Sequence, residues 1–416
     1  MLAEHPELAT ADIHTAAIVG DDRAVRHFLE QDPGSATAKS PPYGGDALTH
    51  LGLSKYLRLD PARSEAFLRA ATALLDAGAD PNTGFWTTGQ HPEFETALYG
   101  AAGVAHHAGL TRLLLERGAD PNDVEAVYHS PETHENAAMQ LLVETGRVTP
   151  NHLALMLIRK HDWHDFEGAK WLLQRGVDPT VEWEGRVSAI HQALRRDNIL
   201  AMIALLLDHG ATPMVEQDGL SAVARAAREG RSDVLELFAE RGFAVELRGV
   251  DRLIAACARG DGDAVRAIAQ QEPHLVGEVL VMGGELLAKF AGTCNLPGVR
   301  ALLDAGVDVA APFTAGDGYW GTPPGSLAIH VAAWRACTAG VRLLLERGSP
   351  VDVPDALGRT PLALAVKACV DSYWTEYRTP DSVRALLEAG ASADRVPFPS
   401  GYAEVDELLR PHRRAP

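Results

Sequence analysis

"LLDAGADPN" fills residues 74–82, and "LLERGADPN" fills residues 114–122. The same nine-residue phrase returns forty positions later, and looser versions follow. "LLQRGVDPT" stands at 172–180, "LLDHGATPM" at 206–214 and "FAERGFAVE" at 238–246. "LLDAGVDVA" (302–310), "LLERGSPVD" (344–352) and "LLEAGASAD" (386–394) extend the series. "FLEQDPGSA" (28–36), "LLVETGRVT" (141–149) and "IAQQEPHLV" (268–276) are degenerate copies. The phrase reads as a helix end. The leucine pair closes the buried face, the glycine takes a left-handed conformation that stops the helix, and Asp-Pro starts a turn.

A second phrase precedes most of these glycines by about twenty residues. It reads "ADIHTAA" (11–17), "TALYGAA" (96–102), "SAIHQAL" (188–194), "LAIHVAA" (327–333) and "TPLALAV" (360–366). It predicts a short alanine-rich helix that packs closely on its neighbours. A leading Thr or Ser suits the N-cap. Each unit is therefore short helix, tight turn, longer helix, loop.

In these two phrases the chain resembles the ankyrin-repeat family, whose unit of about 33 residues carries a T-P-L-H-x-A signature. The resemblance covers roughly residues 11–396 in about eleven units, several degenerate. Only Thr360, Pro361 and Leu362 spell "TPL" in full, with Ala363 in the histidine place. His14, His191 and His330 occupy that place elsewhere, and the resemblance implies that they brace loop backbone. The implied fold is all-α: an ankyrin-repeat solenoid of helix-turn-helix units with hairpin loops. We expect one domain over 1–416, a curved stack with an N-terminal capping unit at 11–33, repeats over 46–396 and a closing helix at 400–410.

Composition narrows the function. A net charge of −18 argues against a nucleic-acid backbone as partner. No run approaches 18 apolar residues, so no membrane span is expected, and the opening "MLAEHPELATADIHTAA" has no signal-peptide pattern. Both readings point to the cytoplasm. Cys257, Cys294, Cys337 and Cys369 are widely spaced on Ala-rich stretches and read as small apolar fillers rather than a disulfide framework.

The repeat is broken in two ways. Longer hairpins are expected at 83–95, 123–135 and 312–326, and longer inter-helix turns at 55–66, 161–165 and 372–380. These inserts hold Phe85, Trp86, Phe94, Tyr128, Trp163, Tyr319, Trp320, Tyr373, Trp374 and Tyr377. Each is either a lid on the scaffold or an anchor for a partner. His91, His106, His107, His129, His134, His161 and His164 crowd the N-terminal half.

Positions just after the Ala-Ala of the short helix face the concave surface in the family. Here the resemblance places Arg159, Lys160, Arg195, Arg196, Arg228, Arg259, Trp334 and Arg335 there. Such a basic stripe suits an acidic or phosphorylated segment, and an ordinary solvated face is the plainer alternative. "HDWHD" (161–165) is the most chemical-looking stretch. His161, Asp162, His164 and Asp165 could bind a metal or act as an acid/base pair, whereas Asp165 is also a natural N-cap. His106 and His107 fall on an ordinary inter-helix turn. "ARGDGDAV" (258–265) is too short for a calcium loop.

The leading reading is a non-enzymatic module binding a protein or peptide, with no cofactor and no metal. Its expected site is Trp86, His106, His107, Tyr128, His134, Arg159, Lys160, Trp163, Arg195 and Arg196. The alternative is an enzyme or small-molecule binder with a His/Asp/aromatic pocket in the N-terminal half. A third reading is a structural subunit of an oligomer. The sequence names neither partner nor oligomeric state.

Overall fold

The tandem phrase marks a helix end and also a lateral clasp. In the computed structural model, which describes residues 5–41, 43–185, 187–372 and 378–413, the phrase glycines Gly78 and Gly118 have φ of 99° and 102°. Gly176, Gly210, Gly242, Gly306, Gly348 and Gly390 are left-handed as well. The first leucine of each pair is fully buried: Leu74, Leu114, Leu172, Leu206, Leu302, Leu344 and Leu386. The closing Asn of "GADPN" does something further. Asn82 accepts from the Asp120 N–H at 2.8 Å and donates to the Gly118 carbonyl at 3.3 Å. Asn122 repeats this one unit on, accepting from the Thr149 N–H (2.9 Å) and donating to the Arg147 carbonyl (3.0 Å). The phrase recurs because each copy grips the next loop.

The chain divides into two compact units, Met1–Thr212 and Pro213–Pro416. The fold class is all-α, and each unit is a stack of helix pairs. In the first the pairs are Ile13–Ile18 with Asp22–Gln31, Ala47–Gly52 with Ser64–Asp76, and Ala97–Tyr99 with Ala108–Glu116. Val124–His129 with Ala137–Glu144, Pro150–Asp162 with Phe166–Gln174, and Ala189–Arg195 with Leu200–Asp208 complete it. The second unit pairs Ala222–Arg228 with Ser232–Glu240, Gly249–Ala258 with Gly262–Gln271, and Gly283–Gly292 with Leu296–Asp304. It ends with Ala328–Trp334 and Thr338–Glu346, Pro361–Asp371 and Asp381–Glu388, and the closing helix Ala403–Leu409. In the first unit successive first helices pack on one another; in the second, Ala222–Arg228 packs on Gly249–Ala258, and Gly283–Gly292, Ala328–Trp334 and Pro361–Asp371 pack in succession, as do many of the second helices.

Alanine and glycine permit this packing. Ala101, Ala102, Ala193, Ala332 and Ala333 are fully buried. Gly52 and Gly100 meet backbone to backbone: a Cβ on Gly52 would lie 2.6 Å from the Ala97 carbonyl oxygen. The helix that starts at Ala97 widens into a π turn over Gly100–Val104.

His14 and His330 brace loop backbone as the resemblance implied. Each Nε2 lies 2.8 Å from a carbonyl oxygen on a neighbouring loop, that of Ala38 and that of Val353. His191 is buried.

The inserts divide differently from expectation. Residues 83–95 do form a long hairpin, with Gly84–Trp86 paired antiparallel to Phe94–Thr96. Residues 312–326 form another, bridged at Phe313–Ser326 and Asp317–Thr322. By contrast, 123–135 is no hairpin. Asp123 caps the helix Val124–His129 through the Ala126 N–H (2.7 Å), making this stretch the first helix of its own unit. Nor is 161–165 an insert: His161 and Asp162 belong to the last turn of Pro150–Asp162, and an ordinary turn follows. The 55–66 insert is helical, with Lys55–Leu59 and a short 3-10 turn at Pro61–Arg63. Tyr373, Trp374 and Tyr377 lie outside the described residues.

The cysteine reading needs correction. Cys257 and Cys369 are buried thiols as expected, but Cys294 and Cys337 are bonded to each other. They are 43 residues apart in sequence, yet they occupy neighbouring inter-helix turns, and stacking brings their Cα atoms to 5.6 Å.

The Asn clasp makes a stability prediction. Asn122→Ala removes two backbone partners and a contact to His152 Nδ1 at 3.1 Å. It should lower unfolding stability by about 1–2 kcal/mol. A urea midpoint identical to that of the parent would show that the clasp holds nothing.

Candidate functional site

One turn motif explains His106, His107, His164 and Asp165. Between the two helices of a unit, a left-handed residue comes just before a residue whose side chain caps the second helix. The pairs are Gly20–Asp21, His106–His107, His164–Asp165, Gly260–Asp261, Cys294–Asn295 and Ala336–Cys337. His107 Nδ1 accepts from the Leu110 N–H at 3.0 Å, and its Nε2 lies 2.6 Å from Ser64 Oγ. Asp165 accepts from the Gly168 N–H at 2.9 Å. His106 and His164 are the residues at positive φ, 50° and 52°. These side chains are parts of a helix start.

The rest of "HDWHD" is dispersed. His161 is fully buried, and both its ring nitrogens lack a hydrogen-bond partner. Burial pulls it down to about 4, so it is neutral at physiological pH. Asp165 is buried and accepts from Lys160 Nζ at 2.8 Å and from Asn136 Nδ2 at 2.9 Å. Burial alone would raise its carboxyl, but these donors and the Gly168 N–H hold it below the usual range. His164 is exposed, and so is Trp163. His134, also exposed, reaches Asp165 only at 3.7 Å. Among the described residues no group of three or more His, Cys, Asp or Glu side chains could hold a metal ion. The catalytic alternative therefore loses His161 and Asp165, which sit in the core beyond a substrate's reach.

Lys160 is the clearest correction. It was placed on the concave face, yet its side chain is completely buried. The ammonium donates to the Thr133 carbonyl at 2.7 Å and to Asp165. Gly168 makes the passage: a Cβ there would lie 2.7 Å from Lys160 Cδ.

The basic stripe is also paired from within. Arg159 donates to Glu132 and to Asp162, and its guanidinium covers the Tyr128 ring at 4.1 Å. The other oxygen of Asp162 accepts from Arg196 Nε (2.6 Å) and Gln192 Nε2 (2.5 Å). Arg228 holds Asp251 with two bonds of 2.6 and 3.2 Å. Arg195 is half-buried. Three guanidinium groups of the stripe, Arg159, Arg196 and Arg228, are thus engaged by carboxylates of this chain.

The aromatic inserts behave in opposite ways in the two units. In the second, Trp320 lies 3.6 Å under the Arg335 guanidinium, and its carbonyl accepts from Trp334 Nε1 at 2.8 Å. Arg359 ties the same hairpin down through the Gly321 carbonyl (2.8 Å). Beneath it His330, Trp334 and Arg359, among others, line only a shallow crevice with no room for a water molecule, far short of the ~300–1,000 Å³ of ligand pockets. In the first unit the rings stay in water. Trp86 is 63% exposed and tilts against Phe94 at 5.2 Å; Tyr43 is 58% exposed and stacks on Phe85 at 5.4 Å.

Sequence reasoning missed a carboxylate group beside these rings. Glu95 is the cross-strand partner of Phe85. Glu125 lies on the Val124–His129 helix, with His129 Nε2 at 3.4 Å, and Glu132 lies 2.8 Å from His129 Nδ1. Burial, then repulsion from Glu93, holds the Glu95 and Glu125 carboxyls above their usual range. Tyr99 is pushed up to about 12 by burial and by Glu95, Glu125, Glu132 and Glu93. The alternation in "EFE" (93–95) was the available signal, since it puts both acids on one strand face.

No family model matches the chain, and no curated protein matches it. Among solved structures it is similar to the human ASB11 ankyrin repeat domain, at 22% identity and a TM-score of 0.41, over 51% of this chain and 89% of that one.

Two variants test the buried groups. Lys160→Met strands the Asp165 charge in the core and should destabilise by about 3 kcal/mol or more; a loss below about 1 kcal/mol would mean that the lysine is a surface residue. His161→Leu removes two unpartnered nitrogens and should be neutral or stabilising by about 1 kcal/mol near pH 7.5. The parent's folded His161 value, about 4, lies below the ordinary 6.5. As pH falls from 6.5 to 4, the unfolded chain takes up a proton that the folded chain refuses. This loses up to roughly 3 kcal/mol, a loss the variant escapes. Parallel stability–pH curves for the two proteins would show that the imidazole is solvated.

Proposed function

We propose that the chain is a non-enzymatic protein- or peptide-binding ankyrin-repeat module, working through the inner face and loops of its first unit. One observation carries this reading. Trp86, Phe94, Tyr43 and Trp163 stand exposed on that unit, whereas the comparable Trp320 of the second unit is covered by its own arginine. Large rings left in water on a rigid scaffold are the usual anchors of a protein interface. The scaffold supplies preorganisation, so little ordering entropy is lost on binding. Tyr128, locked under Arg159, would form part of the floor. Lys160, His107 and Asp165 hold the scaffold together, and His106 and His164 shape its turns.

An acidic or phosphorylated partner had its support in the guanidinium stripe. With Arg159 and Arg196 committed to Asp162 and Arg228 to Asp251, that support is weakened. No described helix is long and apolar enough to cross a membrane.

The test uses one exposed aromatic and one arginine of this surface. Trp163→Ala should leave melting nearly unchanged, since exposed substitutions usually shift stability by within about ±0.5 kcal/mol, and Arg195→Ala is the half-buried companion variant. Retention of partners by affinity capture from a native lysate should fall by roughly tenfold or more for Trp163→Ala. Capture unaffected by either variant would move the site off this surface.

A further inference from the structure

Several rings of this protein are capped by arginines. Arg159 covers Tyr128 at 4.1 Å, Arg175 covers Trp171 at 3.7 Å, Arg335 covers Trp320 at 3.6 Å and Arg413 covers Phe398 at 4.8 Å. The Tyr43–Phe85 stack is an exception. Its recorded ring contact is with itself, and among the described residues no guanidinium or ammonium lies over it. What lies beside it is the opposite charge. Phe85 and Glu95 are directly opposed across the hairpin, and strand alternation puts Glu93 on the same face as Glu95. The strand Phe94–Thr96 packs on the helix Val124–His129, where Thr96 Oγ1 donates to Asp123 at 2.6 Å. That brings Glu125 to the same surface.

The local charge balance is uneven. Glu132 is neutralised by Arg159, and His129 is shared between Glu132 and Glu125. No ion pair to Glu93 or Glu95 occurs among the described residues, and the two repel each other and Glu125. A self-repelling set of carboxylates next to an uncapped aromatic pair is complementary to one kind of group. A guanidinium or ammonium would stack on the rings, as Arg335 does on Trp320, while relieving the repulsion.

We infer that the inner face of the Gly84–Thr96 hairpin, with Tyr43, Phe85, Glu93, Glu95 and Glu125, receives an arginine- or lysine-bearing segment of a partner protein. This rests on the binding-module reading and specifies its partner as cationic. The partner supplies in trans the cation that the second unit's hairpin carries in cis.

The experiment uses the full-length protein and three short labelled peptides: alternating arginine–leucine, the neutral citrulline–leucine isostere, and glutamate–leucine. Fluorescence anisotropy should show saturable binding of the arginine peptide, weakening as salt rises. The citrulline and glutamate peptides should bind at least about tenfold more weakly. Glu95→Gln with Glu125→Gln, and separately Tyr43→Ala, should each reduce affinity by about tenfold. Melting curves confirm that the variants fold, and the isosteric Gln pair serves if Tyr43→Ala does not. Equal binding of the arginine and citrulline peptides, or indifference to both variants, overturns the inference. Tighter binding of the glutamate peptide also overturns it while leaving the module reading intact, since that reading is decided by Trp163 and lysate capture. Absence of binding by all three peptides counts against the cationic partner alone.

Discussion

Close approach of the alanine-rich first helices is the constraint on which the rest of each unit depends. A helix pair of this length cannot bury its apolar faces alone, so neighbours must stack. Stacking at the Gly52–Gly100 contact leaves no room even for a methyl group. That spacing fixes how far apart consecutive turns and loops lie. It thereby sets the reach of every polar bridge between units, from the Asn82 and Asn122 clasps to the Cys294–Cys337 bond.

The same tightness changes what polar residues mean. A histidine or acid beside a short helix is drawn into the interface between units, where it must find a partner. Asp165, Lys160 and His107 are held this way. Residues that look like chemistry in a list of letters become caps and ties once the units stack. The exposed rings and unbalanced carboxylates of the first unit gather at its long hairpin and the helix beside it.

This explains what could be read in the sequence. The phrase glycines, the leucine pairs, the Asp165 cap and the bracing roles of His14 and His330 were legible, because each is set by residues within a few positions or by the repeat itself. The helix at Val124–His129 was misread as loop. "DVEAVYH" lacks the alanine signature, and its cap, Asp123, directly follows the Asp-Pro-Asn turn. The pairing of Arg159 with Glu132, and of Arg196 with Asp162, was illegible because the partners are 27 and 34 residues apart. So was the disulfide. Exposure of Trp86 against coverage of Trp320 could not be told from two similar aromatic hairpins, since the difference lies in whether an arginine sits below.

Asp162 has a wider consequence. Its two oxygens, with Arg159, tie together the turn holding Glu132, the helix Pro150–Asp162 and the helix Ala189–Arg195. Three consecutive helix pairs thus share one desolvated charge. In a linear array, unfolding usually advances pair by pair, because each pair contacts only its neighbours. A charge network held in common changes that arithmetic, since opening the middle pair takes Arg159 from Glu132 and Asp162 from Arg196. The segment from Val124 to Asp208 should therefore open as a block, giving a protein built from small interchangeable parts a stretch that is indivisible.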